Sequence, residues 1–311
     1  AKRRGKGLRI RMREKNSPGR KVFIVAMLAI PVLHWLVFWL YVNFSSFILA
    51  FQTPRTYEWT WSNFEQFWFE LTAPGGTIGL AVINTLKYFA LNIVLMVFNL
   101  IVAYFFYKEI AGYKAFRIIF YLPAIISGVA MVAVYTEFIK TSGPLGTIAE
   151  IFGITMRPEG LLNNSDAATT TILMYNVWTG FTTNVLLFSG ALTRIPVELI
   201  ESARLDGCGP VRELIKITIP LIWPTMSTMV IFALTGIFGA SGPILLFDPD
   251  ASYGTMTISF WIFKQVYGSG AIGGTGSYGL VSAAGLCFTL VGVPLIMFTR
   301  WLLNKIPVVE Y

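Results

Sequence analysis

The chain has 311 residues, of which 55% are hydrophobic and only 13% are charged, and its formal net charge is +8. Since soluble domains carry about 25% charged residues, this composition excludes a cytosolic enzyme, a disordered protein and a disulfide scaffold. At roughly 20 apolar residues for each membrane-spanning helix, a chain of this length accommodates about six spans.

The first element along the chain is a basic segment, residues 1–21, which holds ten of the 24 Lys and Arg residues. An apolar run follows at once, and it is longer than the core of a secretory signal, which has roughly 7 to 15 residues. Such a basic block beside a span is typical of a topology signal at anionic head groups. We therefore expect contact with membrane lipid and no binding to nucleic acid.

Six apolar runs are long enough to cross a membrane. They comprise residues 22–50, 78–106, 117–139, 169–193, 221–247 and 279–303. The sequence thus predicts an all-α, multi-pass membrane protein with six transmembrane helices. With the N-terminus inside, the inner segments hold 19 Lys and Arg residues and the outer ones only five. The positive-inside rule then places both termini in the cytoplasm.

Residues for metal or nucleotide chemistry are scarce in the sequence. His34 is the sole histidine, the two cysteines stand in a polar loop and in a span, and no Gly-x-x-x-x-Gly-Lys-Ser/Thr sequence occurs. This set gives neither a zinc site nor a phosphate-binding loop. We expect no catalytic residue, no metal and no cofactor in this chain.

The predicted inner segment 194–220, between the fourth and fifth spans, is rich in charge. Pro196 and Pro210 suit the starts of two short helices. Asp206-Gly207 predicts the turn between them, because glycine accepts a positive φ. The residues leave two interpretations open: a solvated connector resting on the membrane, or a hairpin that docks into a partner.

Two further prolines, Pro220 and Pro224, follow this segment. Proline lacks an amide hydrogen and its ring crowds the preceding helical turn. We expect these prolines to stop or kink the chain as it re-enters the membrane.

The segment resembles the Glu-Ala-Ala loop of ABC importer permeases, whose pattern is Glu-Ala-Ala, Asp-Gly-Ala, a spacer and Ile-x-Leu-Pro. In register, this chain has Glu201-Ser202-Ala203, Asp206-Gly207-Cys208 and Ile217-Thr218-Ile219-Pro220. The replacements are all small or apolar. Asn84-Thr85 and Leu122-Pro123 further resemble the maltose-type branch that transports sugars.

The resemblance covers about residues 78–305 and implies a permease transmembrane domain there, preceded by the first span and outer loop at 22–77 and followed by a tail at 306–311. In such importers the first helix of the loop is a coupling helix seated in a cleft of the nucleotide-binding subunit. The resemblance therefore implies ATPase-coupling roles for Glu198, Glu201, Ala203, Asp206, Gly207 and Pro210.

The same resemblance implies the partners. They are a second permease subunit in a heterodimer, two ATP-binding subunits that hold ATP and Mg, an extracytoplasmic solute-binding protein and a sugar substrate. The membrane would be the plasma membrane, the inner or cytoplasmic membrane of the cell.

A polar face marks the fourth span. Asn176, Thr179, Gly180 and Thr183 recur at i, i+3, i+4 and i+7 among apolar residues. Such a face lines a substrate pathway or holds helices together, and the sequence leaves both interpretations open.

The fifth span contains a glycine-rich run with Gly236, Gly239 and Ser241, which is not expected to remain a regular helix. Broken helices at membrane depth line cavities or are buried in protein. Phe232, one turn earlier, is a candidate for stacking on a sugar ring.

Charged residues within the spans are confined to their edges, at Lys87, Arg117 and Glu137. Because an ionic solute needs an opposite charge along its path, this pattern favours a neutral, hydroxyl-rich substrate. This agrees with the resemblance to the sugar-transporting branch, which implies a permease subunit of an ATP-driven sugar importer. Alternatives are an ABC permease for another neutral solute, an ion-coupled secondary transporter, which would need buried carboxylates, and a membrane-embedded enzyme, which would need clustered catalytic residues.

Overall fold

The computed structural model describes residues 18–53, 56–239, 242–268 and 278–307. Within these ranges the chain is helical, and extended pairing is limited to one isolated bridge between Gln52 and Trp59. This confirms the all-α prediction. The helices are α1 (Pro18–Ala50), α2 (Ser62–Thr72), α3 (Thr77–Tyr107), α4 (Tyr113–Ile125), α5 (Gly128–Ile139), α6 (Pro144–Ile151), α7 (Ala168–Thr179), α8 (Phe181–Leu192), α9 (Val197–Leu205), α10 (Pro210–Thr235), α11 (Ile244–Phe247), α12 (Ile258–Tyr267) and α13 (Tyr278–Leu303).

Four of the described helices, α1, α3, α10 and α13, are long and apolar enough to cross a membrane. A fifth span is obtained if α4 and the following segment Gly128–Ile151 are taken together, although the two are bent by 108°. Several membrane-spanning helices are therefore present, and the count of six remains a prediction.

The third and fourth predicted spans are interrupted. The run 117–139 breaks between α4 and α5, just after Pro123, whose missing amide hydrogen weakens the end of α4. The run 169–193 breaks at Gly180, between α7 and α8. Each break lies within a long apolar run, so the apolar pattern alone did not reveal it.

Helix α10 corrects one expectation about the segment after the turn and narrows another. The second helix of the hairpin is not short, because it continues from Pro210 into the membrane span. Of the two outcomes expected at Pro220 and Pro224, a stop does not occur, because the chain remains helical through both prolines. A π-helical stretch, Leu214–Thr218, comes directly before Pro220, and the Ile219 amide bonds the Leu214 carbonyl. This wider turn makes room for the proline ring, which would otherwise crowd the helix.

The irregular run expected from Gly236 is confirmed for its described residues. Helix α10 ends at Thr235, a 3-10 turn covers Ile237–Gly239, and α11 has only four residues. Ser241 lies outside the described residues.

Two apolar clusters hold the helices together. The first joins α3, α8, α9 and α10 at the end of the molecule that carries the hairpin, and its largest fully buried side chain is Phe188. The second joins α2, α3, α12 and α13 at the opposite end, around Trp261. Because α3 contributes to both, it is the central element of the fold.

Candidate functional site

The first helix of the hairpin, α9, has one buried face and one exposed face. Ile200 and Ala203 are buried, with Ile200 part of the first apolar cluster. Glu198 and Glu201 are exposed on the opposite side. The predicted coupling residue Ala203 therefore packs inside this chain, whereas both glutamates are free to meet a partner.

The tip of the hairpin is apolar as well as charged. Leu205, the last residue of α9, is 89% exposed, and Asp206, Gly207 and Pro210 are exposed beside it. Gly207 has φ +74° and its amide donates to the Arg204 carbonyl at 3.0 Å. A left-handed glycine directly after a helix satisfies terminal carbonyls and reverses the chain. The predicted turn is confirmed.

The base of the hairpin contains a buried ion pair. Glu213, in the first turn of α10, has only 2% of its side chain exposed and pairs with Lys108, the residue after α3. The Tyr104 hydroxyl lies 3.1 Å from Glu213 Oε1 and donates at 3.0 Å to the Pro210 carbonyl. Sequence reasoning missed this site, because Lys108 stands 105 residues before Glu213 and local pattern does not connect them.

A polar cavity of about 240 Å³ lies where the break between α7 and α8 faces α3. The predicted residues Asn176, Thr179 and Gly180 line it together. Its other lining residues are Tyr88, Leu91, Asn92, Leu95 and Gly242. Thr183, also predicted, is exposed on α8 and is not among the residues that line this cavity.

Two buried polar atoms at this cavity have no hydrogen-bond partner among the described residues: the Tyr88 hydroxyl and the Asn176 side-chain nitrogen. Burying such a group without a partner costs about 1–3 kcal/mol, so both atoms are available to a polar ligand or water. Thr179 differs, because its hydroxyl already donates to the Tyr175 carbonyl at 3.0 Å.

Backbone groups complete the cavity wall. A Cβ on Gly180 would lie 2.5 Å from the Asn176 carbonyl oxygen, and the Gly180 carbonyl accepts from the Asn99 amide at 3.4 Å. Gly242 has φ +52°, and a Cβ there would lie 3.0 Å from the Asn176 nitrogen. The helix break is thus stabilised by hydrogen bonding and close packing within the protein.

The predicted pathway residues Phe232, Gly236 and Gly239 do not line the polar cavity. Phe232 is 65% exposed and lines a second hollow, of about 440 Å³, between α8 and α10, together with Arg194 and Thr228. Gly236 and Gly239 are exposed beyond the end of α10. The predicted pathway residues therefore divide between two surfaces.

Tyr88 and Asn92 were missed by the sequence analysis although a signal existed. They are spaced i, i+4 on the second apolar run, one and two turns beyond Asn84. Metal binding has no support in the described ranges, which contain no group of three His, Cys, Asp or Glu side chains placed to hold an ion.

The chain is similar to several known transport proteins. Residues 116–307 match the family described as binding-protein-dependent transport system inner membrane component. A probable ABC transporter permease protein of Mycoplasma genitalium is 31% identical over 231 residues, which is 70% of this chain and 67% of that protein. A multiple sugar-binding transport system permease protein of Streptococcus mutans is 23% identical over 218 residues, 70% of this chain and 71% of that protein.

The fold is shared with a solved bacterial ABC transporter involved in the import of the acidic polysaccharide alginate. The TM-score is 0.75 at 22% identity, and the match covers 93% of this chain and 97% of that chain. A second structure, of an alginate ABC transporter in complex with an alginate pentasaccharide-bound periplasmic protein, matches with a TM-score of 0.76 at 22% identity, over 90% of this chain and 93% of that chain.

Proposed function

Because this chain belongs to the family of binding-protein-dependent transport system inner membrane components, we propose that it is a permease subunit of an ATP-driven importer for a sugar or oligosaccharide. The observation that carries the proposal is the hairpin of α9 and the start of α10. It is folded and anchored at its base, yet it exposes two glutamates and an apolar tip.

The hairpin fits a groove in a separate ATP-binding subunit. A glutamate such as Glu201 forms a strong contact when it meets an arginine in a partly desolvated groove. Reversing an access equilibrium from 1:99 to 99:1 needs about 5.5 kcal/mol of differential binding. One exposed ion pair does not supply that, so Leu205 and the whole exposed face of α9 must dock. ATP and Mg belong to two such partner subunits, and this chain binds neither.

The substrate is proposed to be neutral and rich in hydroxyl groups. The polar cavity is lined by hydroxyl, amide and backbone groups, and none of its lining residues is charged. The sugar-binding system of Streptococcus mutans supports saccharides as the class, and the alginate importers of the same fold carry an acidic saccharide, from which this uncharged cavity lining differs. An ABC permease for another neutral solute is the alternative, because the same lining also suits an uncharged molecule other than a sugar.

The remaining partners are a second permease subunit and an extracytoplasmic solute-binding protein. An alginate transporter in complex with a periplasmic protein supports the latter. The exposed surfaces of α8 and α10 around Phe232 are a suitable place for the second permease, with the pathway between the two subunits. We propose that both termini and the hairpin lie on the cytoplasmic side of the plasma membrane.

The test is reconstitution. The chain is co-expressed with a candidate second permease and a candidate ATP-binding subunit from the same organism, and uptake of labelled oligosaccharides into vesicles is measured with the candidate binding protein. ATP-dependent uptake is expected, together with co-elution of the ATP-binding subunit. Uptake driven by an ion gradient without ATP would contradict the proposal and favour a secondary transporter.

A further inference from the structure

The ion pair at the base of the hairpin joins α3 to α10. Among the described residues, no other ion pair links these two helices. Lys108 follows the last residue of α3, and Glu213 lies in the first turn of α10. The two side chains are 11% and 2% exposed, respectively. A charge this deeply buried is strongly destabilising when its partner is removed, so the pair remains closed once it has formed.

Aromatic groups surround the pair and fix its geometry. The Tyr104 hydroxyl contacts both Glu213 Oε1 and the Pro210 carbonyl. The Lys108 ammonium lies 5.3 Å from the centre of the Tyr104 ring and 5.9 Å from that of Tyr107. These contacts hold the first turn of α10 at one position along α3, whereas apolar packing alone allows helices to slide.

Each of the two helices leads from the pair to a different part of the protein. Helix α10 begins at the hairpin turn and continues without interruption to Thr235. Helix α3 runs back from the pair to Asn92 and Tyr88, which line the polar cavity. At 1.5 Å per residue, the 20 residues from Lys108 to Tyr88 span about 30 Å. A displacement of the hairpin therefore reaches the cavity wall along α3 through this pair, together with the Tyr104–Pro210 hydrogen bond and the first apolar cluster.

We propose that Lys108 and Glu213 are positioning residues that make α3 move with the hairpin, so that docking of the hairpin repositions Tyr88 and Asn92 in the cavity. This inference rests on the proposed importer function. Movement of the hairpin is then transmitted through the buried ion pair between Lys108 and Glu213 as well as through the continuous helix α10.

The experiment uses the complete reconstituted complex and measures uptake per ATP hydrolysed. Lys108→Met and Glu213→Gln are compared with Lys114→Met, whose lysine has no ion pair in the described part of the chain. The Lys108 and Glu213 variants are expected to retain ATP hydrolysis while uptake per ATP falls about tenfold, and the control is expected to match the wild type. Lys108→Arg, which keeps the charge, should restore most of the ratio.

A covalent substitute for the pair covers the case in which the single variants do not fold. Lys108→Cys and Glu213→Cys are combined in a chain with Cys208→Ala and Cys287→Ala, and a short thiol cross-linker is added to the assembled complex. Cross-linking is expected to raise uptake per ATP towards the wild-type value. An unchanged ratio on cross-linking, or single variants that fold and transport normally, would overturn the inference. Absence of ATP-dependent uptake in the wild type would instead overturn the proposed function.

Discussion

The side-chain amide of Asn84 in α3 donates a hydrogen bond of 2.8 Å to the carbonyl oxygen of Gly254, which lies 170 residues further along the chain. The same amide donates to the Met256 carbonyl at 2.9 Å, and the neighbouring Thr85 hydroxyl accepts from the Ile258 amide at 3.0 Å. Asn84 and Thr85 are both buried. They fix the loop between α11 and α12 against α3, close to the polar cavity.

Replacing Asn84 by leucine is therefore expected to destabilise the protein. Asn84→Leu removes this donor from the half-buried Met256 carbonyl, at a cost of about 1–3 kcal/mol for the unsatisfied group, whereas the Gly254 carbonyl still accepts from the Thr169 hydroxyl at 3.2 Å. The measurement is thermal unfolding of the purified protein in detergent. Asn92→Leu makes the same change two turns along the same helix, at an exposed position in the cavity, and should leave the unfolding temperature unchanged. Equal unfolding temperatures for the two variants would contradict the structural role of Asn84.

The sequence analysis identified Asn84-Thr85 only through a family resemblance, and the structure supplies the physical reason. Their partners lie in a loop more than 160 residues away, and hydrophobic periodicity contains no information about such distances. The same limit applies to Lys108 and Glu213. Each is an ordinary surface charge by local pattern, and only the packing of α10 on α3 buries them together.

Local sequence signals were more informative where a single residue decides its own backbone conformation. Gly207 was predicted as a turn because positive φ suits glycine, and it has φ +74°. The break at Gly180 was missed because one glycine in an apolar run barely changes its hydropathy, although a Cβ there has no room. Pro220 does not stop the helix, since the preceding π turn accommodates it, so of the two expected outcomes only the stop is excluded.

Leu205 at the hairpin tip should contribute to docking of the ATP-binding subunit. Burial of an exposed leucine stabilises a complex by about 1.5–3 kcal/mol, so Leu205→Asp is expected to weaken the affinity roughly 10- to 100-fold. The measurement is binding of the purified ATP-binding subunit to the permease in detergent. Because Leu205 is 89% exposed, the unfolding temperature should not change. Leu205→Met, which keeps the apolar volume, serves as the control, and equal affinities for the two variants would exclude the tip from the interface.

The exposed acidic face of α9 provides a separate test of docking. Glu201→Lys reverses a charge that we propose meets a basic residue of the ATP-binding subunit. It is expected to abolish uptake and reduce co-elution while the chain still inserts in the membrane. Glu159→Lys makes the same charge change at an exposed position in the segment between α6 and α7 and should leave both measurements unchanged. Normal uptake with Glu201→Lys would remove this glutamate from the coupling surface.

The hairpin turn depends on the left-handed conformation of Gly207. A β-branched side chain strains this conformation by at least about 1–2 kcal/mol, so Gly207→Val should distort the turn and lower both uptake and co-elution. Gly209→Val is the matched control, because Gly209 has φ −72° and open space around its Cα, and valine adopts that backbone readily. If the two variants have equal uptake, the turn geometry does not matter for docking.

The last prediction concerns the polar cavity and separates a transport role of Asn176 from a packing role. The Asn176 amide nitrogen is buried without a hydrogen-bond partner among the described residues, so Asn176→Leu removes an unsatisfied group and should not destabilise the chain. If the amide binds a substrate hydroxyl, the same change lowers uptake at unchanged assembly, by about 5- to 10-fold for a lost bond of roughly 1–1.5 kcal/mol. Thr183→Leu is the matched control on the same predicted face, since Thr183 does not line the cavity. A loss of complex assembly with normal uptake per assembled complex would show that Asn176 packs helices instead.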